Sequence, residues 1–495
     1  MSAVLFWTTA IRLADAVAKW RSRTISCCNS LSIRSLRHRS NSPLLQIGLA
    51  NSLSSVSCLV VLALATVFPR AARAEEPIRL AERFPVGYQY HVSTRVDLTG
   101  TLTPEPEKGK AVPKELKLTG HSAIEYDERV LTAGKDGAVD KTARVYRRID
   151  FERKIGERKQ QNTVRPVVRR LVVLRRGSTE VPFSPDGPLT WGEIDLVRTD
   201  VFTPGLVGLL PTGAVRIGDK WNATTAAVQE LTDMERIEEG KLECKLEQIT
   251  TLPQAGKLRR HARIGVTGSV VGINEDGPNR QQLDGYFYFD LESNHISYIS
   301  LKGVHVMLNK DKKEVGRVEG RFVLTRQPQQ SKDLSDQALK GVALEPDAKN
   351  TLLLFDDPQI GVRFVYPRRW HVAASQGPQV ALDAADGSGL LLTVEPLARV
   401  PTAAQYLAES RDWMKKQKAR VLRGEPAQTI GGGLGSLEHF GLEVEVSGQR
   451  AYMDYYVIRQ KTGGGTVVAR LLEKDRAAIQ KEVEGIVRSM TITKK

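Results

Sequence analysis

The sequence predicts an α+β chain built from two sheet-based units. Three observations carry this: a long run of period-two alternation, a polar stretch that interrupts it, and a later change to strands mixed with amphipathic helices. Alternation dominates from Tyr88 to about Arg326, as in Ala143-Arg-Val-Tyr-Arg-Arg-Ile-Asp-Phe151, Ala262-Arg-Ile-Gly-Val-Thr-Gly-Ser-Val-Val271 and Gly285-Tyr-Phe-Tyr-Phe-Asp290. Such runs, separated by turn residues, are half-buried strands of an antiparallel sheet. The first unit is therefore placed at 77–327, a linker at 328–350 and the second unit at 351–495.

Within the first unit the main helical expectation lies between Thr190 and Leu210. Thr190-Trp-Gly-Glu193 has the capping-box pattern, Ile194, Val197 and Val201 share a face, and Pro204 and Pro211 should break the helix. The stretch from Gln327 to Asn350 (Gln-Pro-Gln-Gln-Ser-Lys-Asp at its head, Glu-Pro-Asp-Ala-Lys-Asn at its tail) is polar and has little apolar periodicity beyond one short helix, which reads as a linker.

The second unit should open with strands at Val362 to Tyr366, Gln379 to Asp383 and Leu390 to Glu395. A helix follows, capped by Thr402 and Gln405, with Tyr406, Leu407, Ser410, Trp413 and Met414 as its stripe. Strands from Leu442, Ala451 and Thr466 form a meander, and Asp475 should cap a closing helix that carries Ile479, Val483, Ile486, Val487 and Met490. Two helices against five or more antiparallel strands make a helix-on-sheet domain.

Residues 1–74 are set apart as a targeting segment. They hold nine Lys/Arg and one acid, Asp15, and run from Arg34, Arg37 and Arg39 through the apolar stretch Cys58–Phe68 to Ala72-Arg-Ala74 before Glu75-Glu76-Pro77. That order is the signature of an export signal cleaved near Ala74. The apolar stretch has 11 residues, short of the ~20 a spanning helix needs. A periplasmic or extracellular protein is the resulting expectation. The Ser/Arg-rich, acid-poor residues before the apolar stretch leave a two-part organelle address, and so a thylakoid lumen, as the alternative.

Of the 495 residues, 72 are Lys/Arg and 57 Asp/Glu, a formal charge of +15. Without the leader the excess falls to +7, and with aromatic residues at only 6% nucleic-acid binding is poorly supported. Cys27, Cys28 and Cys58 fall in the leader, so Cys244 alone remains, as an inward-facing strand residue between Leu242 and Leu246. This excludes an internal disulfide and a cysteine-based zinc site.

Phe364-Val-Tyr-Pro-Arg-Arg-Trp370 resembles the F-x-Y-P-x-x-W opening of PsbP-like domains. Ile430-Gly-Gly-Gly-Leu-Gly435, the meander and the closing helix ending at Arg488-Ser-Met490 are similar to the rest of that family, over about Leu352 to Thr493. The resemblance implies an α/β/α sandwich of the kind found in extracytoplasmic and thylakoid-lumen proteins, some of which assist assembly without catalysis. Leu210-Pro-Thr-Gly-Ala-Val-Arg-Ile-Gly-Asp-Lys-Trp221 and Phe289-Asp-Leu-Glu-Ser-Asn-His-Ile-Ser-Tyr298 make the first unit similar to LolA-like exported proteins. That implies a curved, half-barrel-like antiparallel sheet, which in such proteins wraps an apolar cavity.

No chemistry-bearing constellation stands out. His91, His121, His261, His295, His305, His371 and His439 are never within five residues of each other, so no local zinc pair exists. There is no G-x-S-x-G elbow; Asp386-Gly-Ser-Gly389 reads as a hairpin turn. Arg165-Pro-Val-Val-Arg-Arg-Leu-Val-Val-Leu-Arg-Arg176 splits its arginines between two strand faces and reads as a solvated edge or hairpin. No catalytic residue, cofactor or metal is assigned. The expectation is a non-enzymatic exported binding, carrier or assembly module whose partners are lipid or envelope proteins, in contact at most with a membrane surface. The alternative is a secreted hydrolase whose groups come from distant strands, with Asp290, His295 and Asp276 the first to inspect.

Overall fold

The computed structural model describes residues 76–493 except 104–113, 135–136, 177–178, 199, 255, 275–276, 432–433, 447 and 473–475. The leader, Asp276 and Asp475 lie outside the described residues. Most of the chain is antiparallel sheet, and no closed barrel forms among the described residues.

The first unit is built on one 12-stranded sheet, with Ile78–Arg79 and Ala214–Val215 forming a separate two-stranded pair. In spatial order its path runs Lys220–Asn222, Arg236–Gln254, Lys257–Asn274, Gly277–Asp290, His295–Leu308, Glu314–Pro328, Gln89–Leu102, Leu116–Ala133, Val139–Ile155, Arg170–Arg176 and Thr179–Phe183. Arg158–Asn162 pairs beside Val139–Ile155. The first long strand is thus zipped to the last, Phe322 opposite Val96 and Leu324 opposite Thr94.

Alternation decides which face each side chain takes. Phe287 and Phe289 are buried on one face while Tyr286 and Tyr288 are half-exposed on the other. Cys244 lies inward between Leu242 and Leu246, and burial pushes its thiol up to about 12, which keeps it protonated. The inner face is covered by helices Trp191–Arg198 and Thr225–Thr232 and by the 3-10 turn Thr203–Leu209. The capping box forms: Thr190 Oγ1 accepts from the Glu193 amide at 3.2 Å and the Glu193 carboxylate accepts from the Thr190 amide at 2.8 Å. The helical stretch expected between Thr190 and Leu210 is two pieces: the α-helix ends at Arg198, before the expected break at Pro204, and Pro204, which lacks an N–H, sits in the first turn of a new 3-10 segment.

The polar stretch after Pro328 is docked. Leu334 and Leu339 pack on Ala143 and Val145, Ser331 donates its amide to Gln89 Oε1 at 2.8 Å, and Arg147 meets Asp333 at 2.7 Å. Arg129 pairs with Asp336 and Lys141 with Glu345. Two buried leucines and this charge ladder hold a segment whose sparse apolar residues show no period.

In the second unit an eight-stranded sheet runs Trp370–Gln376, Gln379–Ala384, Gly389–Glu395, Gly463–Leu471, Gln449–Gln460, Gly435–Val446 and Arg420–Gly424, with Gln428–Thr429 beside Gly435–Val446. Helix Ala403–Lys416 packs with Phe440, Leu442, Tyr455 and Val457. Helix Arg476–Arg488 buries Ile479, Val483, Ile486 and Val487 in the cluster that holds the alternate residues Tyr456, Ile458, Val467 and Ala469. The capping box at Thr402 and Gln405 is present. Trp413 departs from its expected stripe: it is 54% exposed, while Ala403, Ser410 and Met414 take the buried side.

A small sheet sutures the halves. Leu189–Thr190 runs parallel to Leu353–Leu354, Leu353–Asp357 pairs with Val362–Tyr366, and that strand pairs with Thr491–Ile492. Trp191 meets His371 edge-on at 5.8 Å, and one hydrophobic cluster continues from the large sheet through Leu189 and Leu353 to Phe364, Trp370 and Ile479.

Candidate binding cleft

On the face of the large sheet that the helices leave free, the register lines up one residue from each of seven neighbouring strands. Arg263 stands opposite Tyr288, Tyr288 opposite Tyr298, Tyr298 opposite Thr325, Thr325 opposite Ser93, Ser93 opposite Glu125, and Glu125 opposite Arg148. The row is bulky at one side, small in the middle and long at the other. Thr325 and Ser93 therefore form the floor of an open cleft of about 630 Å³, walled by Tyr286, Tyr288 and Tyr298 and, across from them, by His91 and Glu125. A volume of this size belongs to the range of small-molecule sites.

The tyrosine wall is a mutually packed group. Ring centroids lie 5.4 Å apart for Tyr286 and Tyr288, and 6.0 Å from each to Tyr298. His261 meets Tyr288 edge-on at 6.1 Å, and the Arg263 guanidinium lies 4.2 Å from the Tyr286 ring centre. Burial, with the neighbouring tyrosines, raises the Tyr286 phenol above its ordinary value, so the hydroxyl stays neutral. A β-bulge shapes the wall: Tyr288 pairs with Tyr298 but Phe289 with Ile296, leaving Ser297 as the extra residue, whose hydroxyl donates to the Tyr288 carbonyl at 3.3 Å. On the far side His91 Nδ1 lies 2.9 Å from Asp127 Oδ1, and Arg147 clamps the same Asp127 at 2.7 Å while reaching Ser331 Oγ at 3.0 Å. The docked segment after Pro328 thus fixes one wall of the cleft.

The inner face carries charge, but closed. Arg144 and Glu128, both fully buried, pair at 2.7 Å, and Arg144 lies 3.4 Å from Asp200. Tyr90 donates to Glu128 at 2.7 Å and Thr203 donates to Tyr90 at 3.1 Å. Alongside, Glu230 takes Arg175 at 2.7 Å and the Phe202 amide at 2.8 Å. These contacts tie the 3-10 turn and helix Thr225–Thr232 to the sheet. The arginine run is accounted for in the same way: Arg165 grips Glu193, Arg170 grips Asp186, Arg175 grips Glu230, and Arg169 is exposed. It is a hairpin strand with partners on both faces, not one basic surface.

Asp290 and His295 face each other across the turn between their strands. Burial alone would push the Asp290 carboxyl up, but hydrogen bonds from Ser293 and Glu292 outweigh it and hold the group below its ordinary value. Its oxygens accept the Glu292 amide at 2.8 Å and the Ser293 amide at 3.1 Å, and Arg259 at 3.2 Å. The pair builds a hairpin in which Asn294 takes a positive φ of 51°. His295 is pushed down to about 4, first by burial and then by Arg326. A depressed histidine stabilises the fold above its unfolded value near 6.5 and loses that contribution as pH falls toward 4, where the unfolded chain binds the extra proton. The His295→Gln variant is expected to lose less stability than the parent between pH 6.5 and 4, the gap widening by about 1.4 kcal/mol per pH unit, read from urea unfolding.

Sequence reading missed a second polar cluster, in the C-terminal sheet. His439 contacts Asp454, which accepts Tyr456 Oη at 2.5 Å and Gln480 Nε2 at 3.4 Å. The register that places His439 opposite Tyr456 and Gly441 opposite Asp454 brings them together across fifteen residues of chain. A Cβ at Gly441 would fall 1.7 Å from Tyr452 Oη, so any other residue there would displace the Tyr452 ring. Among the described residues no group of three or more His, Cys, Asp or Glu is arranged to hold a metal ion, and no helix is long and apolar enough to cross a membrane.

No family model matches the chain, and no curated protein matches it. Among solved structures it is weakly similar to cyanobacterial PsbP (CyanoP) from Synechocystis sp. PCC 6803, at 14% identity, 28% of this chain, 92% of that one and a TM-score of 0.23. It is also weakly similar to MucB in complex with MucA(peri), at 11% identity, 82% of this chain, 94% of that one and a TM-score of 0.14. The immunity protein TplEi of Pseudomonas aeruginosa covers 46% of this chain and 73% of its own, at 10% identity and a TM-score of 0.19. At these identities and TM-scores the likenesses establish neither fold nor function.

Proposed function

We propose that this chain is a non-enzymatic binding and assembly module of an exported compartment, which holds its partner at the tyrosine cleft. The leader cleaved near Ala74, a LolA-like half-barrel unit over 77–327 and a PsbP-like α/β/α sandwich over 351–495 belong to the same reading. The observation that carries it is the cleft: a floor of two small hydroxyl residues between a tyrosine wall and a histidine wall, open on the free face of a continuous sheet. The inner face, where a LolA-like carrier would keep apolar cargo, is occupied by the chain's own side chains, with Leu171, Phe202, Leu206, Phe287 and Phe289 at 0–1% exposure. The reading therefore favours an envelope protein or polymer as partner over a lipid.

A photo-reactive residue placed at Thr325 is expected to crosslink a partner in an envelope extract of the cells that make the protein. The Tyr288→Ala, Tyr298→Ala double variant of that reagent should lose the product. No product, or the same product from both, overturns the reading.

A further inference from the structure

We infer that the cleft takes a neutral oligosaccharide, a step that rests on the cleft being the binding face. A sugar ring offers an apolar C–H face and a rim of hydroxyls, each both donor and acceptor. It is matched by aromatic rings beside short polar side chains of mixed character. The cleft supplies both. Tyr288 and Tyr298 are half-exposed, with ring centroids 6.0 Å apart, and Ser93, Thr325, Glu125 and Gln327 line the cavity next to them.

Charge selects the neutral class. The charged groups at the cleft have an opposite charge beside them: Glu125 lies 3.7 Å from Arg148, Arg263 contacts Glu247, Arg326 pairs with Glu82 and His91 is held by Asp127, while His261 Nδ1 lies 3.1 Å from the Arg259 carbonyl. A phosphate, sulfate or carboxylate would find no unpaired arginine in the cleft, and an ammonium no unpaired carboxylate. Arg263 also covers the Tyr286 face where a ligand cation would stack.

Geometry argues against a peptide. The cleft lies across the middle of the sheet, where each strand is paired on both sides, so no strand edge is offered for main-chain pairing. The aliphatic lining is confined to Leu252 and Pro253 at one end, which leaves no deep apolar pocket for a side-chain anchor. Seven strands at their usual spacing give a row about 29 Å long, a track for a linear chain of sugars running across the strands rather than a socket for one ring.

The test is an array of neutral oligosaccharides, with sulfated and uronic-acid glycans and extended peptides printed beside them, probed with the purified chain and followed by calorimetric titration of whatever it retains. Retention of at least one neutral oligosaccharide is expected, weakened about tenfold by Tyr298→Ala and abolished by Ser93→Phe, which fills the floor. Both variants should still unfold cooperatively on heating, which separates loss of binding from loss of the fold. Retention of only acidic glycans, of only peptides, or of nothing overturns the inference, as does sugar binding that both variants leave intact. If no sugar is retained while the Thr325 crosslink persists and still depends on Tyr288 and Tyr298, the saccharide inference fails and the binding face stands. If the crosslink also ignores the tyrosines, both fail.

Discussion

Replacing Arg144 by Met is expected to lower the stability of the fold by about 3–5 kcal/mol, the cost of leaving buried carboxylates without their cation. The guanidinium has no exposure, lies 2.7 Å from Glu128 and 3.4 Å from Asp200, and rests 4.8 Å from the Tyr126 ring centre. The methionine fills the volume, so the loss is electrostatic rather than a cavity. Asp200 shows what burial does at this site: it pushes the carboxyl up to about 7 even with Arg144 beside it. Removing Arg144 raises that group further. A carboxyl raised in the folded state favours folding below its unfolded value and loses that contribution as pH rises through the folded one, so the deficit of the variant should grow between pH 5 and pH 8. Urea unfolding at the two pH values reads both effects. Combining Arg144→Met with Glu128→Gln and Asp200→Asn should recover part of the loss, since the uncompensated charges go with the cation. A loss below about 1 kcal/mol, or one unchanged by pH, would show that the network is hydrated and the account of the inner face wrong.

That network also marks where the sequence stops being informative. Strands Val362–Tyr366 and Gln379–Ala384 and both capping boxes were legible because each is a local pattern, set by alternation or by four consecutive residues. Glu128 and Arg144 occupy inward positions, Glu128 two residues past Tyr126 and four past Ile124 on one strand and Arg144 two before Tyr146 on the other, where alternation asks for an apolar side chain. The violation was visible; its partner was not, because register across a hairpin and the return of Asp200 from a separate loop decide it. The cleft has the same character. Tyr286-Phe-Tyr-Phe289 announces aromatic residues on both faces of one strand. Yet the small floor between large walls exists only once six registers align seven strands. Trp413 misled for the opposite reason: helical spacing placed it on the stripe, but the sheet beneath is covered by Tyr406, Leu407 and Met414 before the helix turns that far.

The second large effect is expected at Trp370, where Ala should cost about 3–5 kcal/mol. The side chain is fully buried at the start of its strand, below the turn closed by its amide on the Pro367 carbonyl at 3.1 Å, and its indole N–H donates to Glu482 at 3.0 Å. Arg369 holds the same Glu482 at 2.8 Å and lies 5.5 Å from the ring centre of Trp370, so the indole is gripped by the closing helix as well as by the core. Trp370→Phe keeps most of the packing and should lose less, while Glu482→Gln should cost only about 1 kcal/mol, the worth of a hydrogen bond whose acceptor persists. The shape of the melting curve carries the larger consequence. Trp370 belongs to the hydrophobic cluster that reaches the large sheet through Leu353 and Leu189, and the parallel pairing of Leu189–Thr190 with Leu353–Leu354 crosses the seam between the halves. Loosening the C-terminal core therefore loosens the contacts that hold helix Trp191–Arg198 against the large sheet. Calorimetry of Trp370→Ala should show a single transition displaced to lower temperature. Two separated transitions, with the first unit melting where it does in the parent, would mean that the seam transmits nothing and that the two sheets fold as independent bodies.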